Sequence, residues 1–433
     1  MKKTIFAFGL CILGLPGFSR AADPSPPPQA EAPRREDRVE DLLETVRWRD
    51  LGAMEFAGAQ RASLAEQPWS DSYWPLYAGG IAYRYADPGM RLSKDWAANE
   101  RYILDNLGRG WPGELSPAEK YDRLVGDTQF TLTRWSLSQG RRHYAKRGVV
   151  ADWMGLCHGW APAAFMEKRV SKAVEVKGVG GETLLFYPSD LHALSTLQWG
   201  EASFAKKLIG GRCRTDHPAR DGRGRPQAPE CLDSNPGTWH LSVVNQLGGA
   251  KRALLFDATA GSEVWNYPIY KYEYHYVKDG SGERASRWQD AARPITEADR
   301  RKAPRAEGAA SIVHVKMNVT YAAPTSPSAA LVSTPAQDES GQEELDYELE
   351  LSGAGEILGG EWISTEHPDF LWLPAENARA LSEQDKFLDG IGENESWPAG
   401  AIMPMQWQIS ARAASREGQP LARVVQELLR RGR

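Results

Sequence analysis

Apolar and polar residues alternate along two segments in the second half of the chain. The segment "VHVKMNVTY" (residues 313–321) alternates strictly, which predicts a strand with one buried face. "DYELELSGAGEILGGEW" repeats the alternation on both sides of Gly353 and Gly355, which predicts a hairpin. Between the two segments, residues 322–343 are rich in Pro, Ser and Ala and then acidic, so we expect a loop or mobile insertion there.

Helical periodicity dominates three other segments. Residues 38–67 carry apolar positions at intervals of three and four. "LSPAEKYDRLVGD" places Ser116 as an N-cap and Glu119 three positions later, the pattern of a capping box. "PLARVVQELLRR" (420–431) predicts a terminal helix. Helices followed by strands, without a repeating strand-helix-strand unit, indicate an α+β fold.

Two short strands are also predicted around Gly248 and Gly249. "TWHLSVVNQL" and "RALLFDAT" are β-rich and flank this double glycine, which favours a hairpin.

The predicted organisation divides the chain into five parts: residues 1–21, a signal peptide; 22–36, a Pro-rich linker; 37–114, a helical and aromatic wrap; 115–300, a catalytic core; and 301–433, a β-rich region that ends in a helix.

The N-terminal residues have the pattern of an export signal. Lys2 and Lys3 precede an apolar run over residues 5–18, and small residues follow up to Ala21, where cleavage is expected. The run is too short for a membrane-spanning helix, although an uncleaved anchor is the alternative interpretation. We therefore expect a secreted or periplasmic protein without a membrane span.

Composition excludes several classes of function. The net charge of the 433 residues is −5, so no basic field would gather nucleic acid. No alternating-Asp loop of the calcium-binding type occurs, and "DESGQEELDYELE" is interpreted as a solvated acidic run. The sequence thus predicts no required cofactor, although calcium dependence stays open, and it does not predict the oligomeric state.

Three cysteines remain once the signal is removed. Cys213 and Cys231 lie in one Gly/Pro/Arg-rich segment, and a disulfide between them would order it in an oxidising compartment. A zinc site built from these two cysteines and His217 is the alternative, but a fourth ligand is missing. The disulfide would leave Cys157 as an unpaired thiol, which is a mark of reactivity.

Cys157 stands where a loop is predicted to become a helix. In "GLCHGWAPAAFMEKRV" glycines precede and follow it, and Pro162 suits an early helical turn. The N–H groups of a first helical turn favour a thiolate and could later bind an oxyanion. Cys157 is therefore the predicted nucleophile.

The hairpin prediction supplies a base and its partner. A two-residue turn at Gly248 and Gly249 places His240 directly opposite Asp257, with Cβ atoms about 5 Å apart. A four-residue turn leaves them diagonal on one face, whereas a three-residue turn separates them. Cys157, His240 and Asp257 are accordingly predicted to form a nucleophile, base and orienting-acid triad.

Other residues near these positions have competing interpretations. Trp153, Trp160 and Trp239 are candidate substrate-binding residues, because an indole can wall an acyl tunnel or donate to an oxyanion; ordinary packing is the alternative. His158 is a weaker candidate base, since helical geometry turns it about 100° from Cys157. Asp190 in "FYPSDLHAL" is interpreted as an N-cap.

At these residues the sequence resembles the elicitor-type transglutaminases, secreted oomycete enzymes with bacterial relatives. The blocks that carry the resemblance run from about residue 68 to 374: "PWSDSYWPLYAGGIAYRY", "LSPAEKYDRLVGD", "GLCHGWAPAA", "NPGTWHL", "FDATAGSEVWNYPIYKY" and "ILGGEWISTEHPDFLWLP". The resemblance implies a papain-like transglutaminase core with Cys157 as nucleophile, His240 as base and Asp257 as its partner. No counterpart of the oomycete immunogenic peptide is found, so an elicitor role is not carried over.

The triad and the resemblance together predict a protein-glutamine gamma-glutamyltransferase that forms isopeptide cross-links through a Cys157 thioester. Its partners would be proteins or peptides that carry glutamine and lysine. A cysteine protease or a glutamine deamidase could use the same triad if water resolved the intermediate. A secreted binding protein that uses the fold as a scaffold is the non-enzymatic alternative.

Overall fold

An antiparallel sheet organises the structure, which is a computed structural model describing residues 37–212, 219, 228, 231, 234–259, 263–302 and 305–433. Residues 36–433 form one compact unit. The predicted signal peptide and linker lie outside the described residues. The fold is a mixed one of helices and antiparallel strands, as the sequence predicts.

Most strands of the described residues belong to one sheet of ten, in the order β11-β10-β9-β6-β5-β12-β4, with β1 and β7 pairing with β6 and β8 with β9. Strands β2 and β3 form a separate pair. The strands are β1 (Arg61–Ser63), β2 (Val174–Lys177), β3 (Thr183–Phe186), β4 (Lys206–Gly210), β5 (Leu254–Asp257), β6 (Asn266–Val277), β7 (Arg284–Ala285), β8 (Arg293–Pro294), β9 (Ser311–Ala323), β10 (Glu339–Leu351), β11 (Ile357–Trp362) and β12 (Phe370–Pro374).

Helices cover the sheet and build the N- and C-terminal parts of the structure. The α-helices of the described residues are α1 (Val39–Leu42), α2 (Leu51–Phe56), α3 (Trp96–Asp105), α4 (Pro117–Leu124), α5 (Thr131–Arg147), α6 (Cys157–Met166), α7 (Pro188–Glu201), α8 (Pro236–Val243), α9 (Trp288–Ala291), α10 (Glu297–Lys302), α11 (Glu383–Gly390), α12 (Met405–Ser415) and α13 (Ala422–Gly432). A π-helix, Val244–Gly249, continues α8.

Several predicted elements are confirmed. Strands β9 and β10 pair along their whole length, and β10 turns into β11 at the predicted glycines. The hydroxyl of Ser116 accepts the N–H of Glu119, whose carboxylate accepts the N–H of Ser116, so the capping box is present. The predicted insertion is shorter than expected, because β9 and β10 extend into it from both sides.

The sheet joins segments that the sequence assigns to different parts of the chain. Strand β12, from the predicted C-terminal region, lies between β4 and β5 of the predicted core. Strand β1, from the predicted N-terminal region, pairs with β6. The long helical prediction over residues 38–67 is only partly right, since α1 and α2 are short and this strand follows them.

The two faces of the sheet pack against different helices. On β5, Leu254 and Phe256 lie in the cluster that contains α8 residues such as Trp239. The intervening Leu255 lies in the cluster that contains Trp160 of α6. Because successive strand residues point to opposite faces, α6 and α8 lie on opposite sides of the sheet.

The predicted hairpin around Gly248 and Gly249 is wrong. Residues on its first predicted strand form α8 and the π-helix, and β5 pairs with β6 instead. Pro236 occupies the first turn of α8, and the side chain of Asn235 accepts the N–H of Gly237 as an N-cap. Both are helix-start signals. All of α8 is buried, so its apolar residues show no single hydrophobic face and imitate a buried strand.

Candidate active site

Cys157 begins α6 and is 4% exposed. The loop before it is held by Tyr73, whose carbonyl accepts the N–H of Leu156 at 2.6 Å. Behind it, Gly159 packs so closely on α7 that a Cβ there would lie 2.1 Å from the Thr196 carbonyl oxygen. Only glycine allows this approach of the two helices. The sequence prediction of a cysteine at a helix N-terminus is confirmed.

The sulfur of Cys157 lies between an acceptor and a donor. Its S–H group donates to the Val264 carbonyl at 3.5 Å. The Nδ2 group of Asn266 donates to Cys157 Sγ at 3.7 Å. The first interaction suits the thiol and the second suits the thiolate, so the surroundings accommodate both protonation states.

Asp257 ends β5 on the face of the sheet that carries Cys157, and its side chain is fully buried. Its Oδ1 atom accepts the N–H of Trp265 at 2.8 Å and the hydroxyl of Thr259 at 3.1 Å. Its Oδ2 atom has no hydrogen-bond partner among the described residues. A buried carboxylate oxygen is therefore available to a proton or a substrate.

Charges and burial set the pKa values of Cys157 and Asp257. Burial raises the pKa of Cys157, and the negative charge of Asp257 raises it further, while N–H groups of Asn266 and His158 act in the opposite direction. Burial also raises the pKa of Asp257 to about 6, against the hydrogen bonds from Trp265 and Thr259. A carboxyl with this pKa is mostly ionised at neutral pH and can still accept a proton.

His240 is not brought to Cys157. It lies on α8, across the sheet from α6, and its Nδ1 atom hydrogen bonds with the Tyr347 hydroxyl at 2.9 Å. Its ring packs edge-on against Tyr274 at 4.6 Å. Burial alone lowers the pKa of His240 to about 3. The geometric argument for a His240–Asp257 pair is wrong because the hairpin on which it rests is absent.

The weaker candidate base, His158, also faces away from the sulfur. Its Nε2 atom approaches Gly200 of α7, where an added Cβ would lie 3.3 Å from it. Burial lowers the pKa of His158 to about 4, and the charge of Lys206 adds to this effect. The backbone N–H of His158 acts on the Cys157 thiol. The other described hydrogen bonds of Cys157 Sγ are to the Val264 carbonyl and from the Asn266 amide.

The three candidate tryptophans have different surroundings. Trp160 and Trp239 are fully buried in the cores on the two sides of the sheet. Trp153 is half-buried, and the guanidinium of Arg212 lies 5.9 Å from its ring. The charge of Arg212 also acts to lower the pKa of Asp257.

Asp190 is not the N-cap residue that the sequence predicts, and its contacts are those of a buried structural residue. It lies in the first turn of α7, where its carboxylate accepts the N–H of Tyr187, the Tyr85 hydroxyl and the Lys120 ammonium. The Lys120–Asp190 ion pair, at 2.6 Å, is fully buried.

The cysteine segment is only partly described. Cys213 and His217 lie outside the described residues, so the disulfide with Cys231 stays a prediction, as does the alternative zinc site. In the described ranges no group of three or more His, Cys, Asp or Glu residues is arranged to hold a metal ion. No helix of those ranges is long and apolar enough to span a membrane.

A comparison with models of protein families shows to which family this chain belongs. The model described as "Transglutaminase elicitor" matches residues 51–384. The chain belongs to the transglutaminase elicitor family. The match includes Cys157 and Asp257, and the resemblance recognised in the sequence is confirmed.

The fold is similar to that of a solved structure, the GP42 transglutaminase from Phytophthora sojae. The TM-score is 0.51 at 20% sequence identity, and the alignment covers 78% of this chain and 91% of that chain. At this identity the likeness shows a shared fold. No curated protein matches the sequence.

Sequence reasoning missed Asn266, which contacts Cys157, and Trp372, which contacts Asn266. Asn266 stands opposite Asp257 in the β5–β6 ladder, and the indole N–H of Trp372 donates to Asn266 Oδ1 at 2.7 Å. Both residues lie in sequence blocks that carry the family resemblance, but no spacing rule links them to Cys157. Only the strand order, with β12 beside β5, brings them together.

Proposed function

We propose that this chain is a thiol-dependent protein-glutamine gamma-glutamyltransferase with Cys157 as nucleophile and Asp257 as proton acceptor. The observation that carries the proposal is the buried thiol at the start of α6, on the same face of the sheet as the buried Asp257. The Oδ2 atom of Asp257 has no hydrogen-bond partner among the described residues, and the charge of this carboxylate raises the pKa of the thiol. Membership of the transglutaminase elicitor family supports the reaction type.

The first half-reaction transfers the acyl group to the enzyme. Cys157 Sγ attacks the carbon of a glutamine γ-carboxamide, and its proton passes to Asp257. The N–H groups at the start of α6 stabilise the oxyanion. Asp257 returns the proton to the departing nitrogen, so ammonia leaves and a thioester remains.

The second half-reaction releases the product. A lysine ε-amine attacks the thioester carbon and gives a proton to Asp257. The carbon–sulfur bond breaks, the proton returns to Cys157, and an isopeptide bond joins the two proteins. His240 is left out of these steps because of its place across the sheet.

Water competes with the amine for the thioester, so exclusion of water favours transfer over hydrolysis. Aromatic rings near Cys157 supply an apolar boundary. Tyr73 and Trp265 meet edge-on at 5.2 Å, and Trp265 is followed by the stacked ring of Tyr267 at 6.1 Å. We further propose that the protein acts after export, on proteins outside the cytoplasm, as the N-terminal signal suggests.

The test uses a peptide that contains glutamine and a cleavable backbone, incubated with the mature protein and excess primary amine and followed by intact-mass spectrometry. Amine incorporation by the wild type, absent in Cys157→Ala, supports the proposal. Deamidated or cleaved peptide would replace it with the hydrolase alternative. Full turnover by Cys157→Ala would remove Cys157 from the mechanism.

A further inference from the structure

The surroundings of Cys157 contain a hydrogen-bond relay that the reaction scheme above does not use. The indole N–H of Trp372 donates to Asn266 Oδ1 at 2.7 Å, and Asn266 Nδ2 donates to Cys157 Sγ at 3.7 Å. Trp372 and Asn266 are 5% and 3% exposed, so water does not replace either contact. The three groups come from β12, β6 and α6.

The relay fixes which end of the Asn266 amide faces the sulfur. An indole N–H can only donate, so it must meet the amide oxygen and not the amide nitrogen. The opposite orientation would set two N–H groups against each other in a buried site, which is costly. Because Trp372 holds the oxygen, the NH₂ group is the end presented to Cys157.

An NH₂ group has no acceptor and therefore favours the thiolate over the thiol. This matters here because burial and the charge of Asp257 both raise the pKa of Cys157. Hydrogen bonds from the side chain and backbone of Asn266 are among the influences that oppose them. The second hydrogen of the NH₂ group remains for the oxyanion that forms beside the sulfur.

We propose that Asn266 is a catalytic residue that donates a hydrogen bond to the Cys157 thiolate, and that Trp372 is a positioning residue that fixes the orientation of its amide. The inference deepens the proposed acyl transfer and rests on Cys157 being the nucleophile. It assigns to Trp372 a role distinct from packing, although the residue belongs to the apolar cluster around α6.

A matched pair of variants separates positioning from packing. Trp372→Phe removes the indole N–H and keeps a ring. Trp199→Phe makes the same change in the same cluster, where the Trp199 indole donates to Glu167 Oε1 at 3.2 Å and does not contact Asn266. In both variants the apparent pKa of Cys157 is measured from the pH dependence of its alkylation by iodoacetamide. This measurement does not require catalytic turnover.

We expect Trp372→Phe to raise the apparent pKa of Cys157 by roughly one unit and to slow alkylation at neutral pH about tenfold, whereas Trp199→Phe leaves the profile unchanged. Asn266→Leu should produce at least the same shift. In the double variant Trp372→Phe should add nothing further, because it acts through Asn266. Additive effects, or a profile of Trp372→Phe equal to that of Trp199→Phe, would overturn the proposal.

Trp372→Phe counts as folded if it unfolds cooperatively on heating. If it does not, Asn266→Leu still measures the contribution of the Asn266 amide to the pKa of Cys157, because it removes that amide. In that case an unshifted alkylation profile in Asn266→Leu overturns the relay by itself. Amine incorporation by the wild type is recorded in parallel. Its absence, together with a shifted profile in the variants, would reject the proposed transferase activity while the relay stands.

Discussion

Asp257 and Asn266 face each other across the β5–β6 ladder, and the Asn266 side chain donates to the sulfur of Cys157. Among the described residues, the buried Oδ2 atom of Asp257 has no hydrogen-bond partner. Cross-strand neighbours of this kind have Cβ atoms about 5 Å apart. The proposed proton acceptor and the proposed hydrogen-bond donor therefore come from adjacent strands. Within the part of the chain that the structure describes, no imidazole hydrogen bonds with Cys157 Sγ or Asp257.

Replacing Asp257 by Asn should separate turnover from thiol ionisation. Loss of the proton acceptor is expected to lower kcat about 10²- to 10⁴-fold. Loss of the negative charge should at the same time lower the pKa of Cys157, because that charge raises it in the wild type. Amine incorporation and iodoacetamide alkylation measure the two effects, and a variant with unchanged turnover would remove Asp257 from the reaction.

The pH dependence of the wild type should show one acidic limb. A proton acceptor must be ionised, and burial raises the pKa of Asp257 to about 6, so kcat/KM should rise as pH increases through about 6. His240 and His158 titrate near 3 and 4 and contribute nothing there. The apparent pKa of this limb should change little with temperature, because the pKa of a carboxyl group changes little with temperature. A strongly temperature-dependent limb would indicate an imidazole.

His240→Leu and Tyr347→Phe should have equal effects on stability and none on chemistry. Each removes one end of the buried hydrogen bond between His240 Nδ1 and the Tyr347 hydroxyl. We expect each to cost about 1–3 kcal/mol in free energy of unfolding. Turnover per alkylatable Cys157 should stay within about twofold of wild type. A loss comparable to that of Cys157→Ala, in His240→Leu alone, would return His240 to the mechanism.

Gly159→Ala should displace the nucleophile. The added Cβ meets the Thr196 carbonyl and the Gly200 N–H, which are backbone groups and cannot turn aside. Overpacking of this kind costs about 1–3 kcal/mol or more, and it acts on the helix that carries Cys157. Gly353→Ala, which meets nothing within 4 Å, is the control. Equal melting temperatures and activities in the two variants would contradict the close helix approach.

Lys120→Met should destabilise the fold far more than Lys278→Met. Lys120 is fully buried against Asp190, whereas Lys278 pairs with Glu283 at the surface. We expect about 3–5 kcal/mol for the first change and less than about 1 kcal/mol for the second, from urea unfolding. The unpaired Asp190 would have a raised pKa in the folded state, so the deficit should shrink as pH falls. A deficit that grows on acidification would contradict this account.

The sequence was sufficient for the elements with a clear period and for the position of Cys157 at the start of α6. Alternation identified β9 and β10, and the glycines and proline around Cys157 identified the start of α6. It failed at α8, because a fully buried helix has no polar face, and Val243 and Val244 suggested a strand. Asn235 and Pro236 correctly indicated the start of a helix, but the β-branched residues that follow them favoured a strand.

The partners of Cys157 could not be predicted from spacing. Asn266 and Trp372 are 106 positions apart, and they meet only because β12 inserts between β4 and β5. Asp257 was identified as a site residue through a hairpin that does not exist. The pairing of β5 with β6 sets Asp257 opposite Asn266, which contacts Cys157, instead of opposite His240.

The insertion of β12 between two earlier strands also has a consequence for how the chain reaches its folded state. Strand β5 has only β6 beside it, and β4 has no strand partner among the described residues, until residue 374 has been synthesised. The carbonyl of Gly432 also accepts the N–H groups of Ser171 and Lys172 beside β2. Such distant pairings slow folding and delay its completion. A chain that cannot close its sheet early stays extended for longer, which is the form in which a polypeptide threads through a translocation channel.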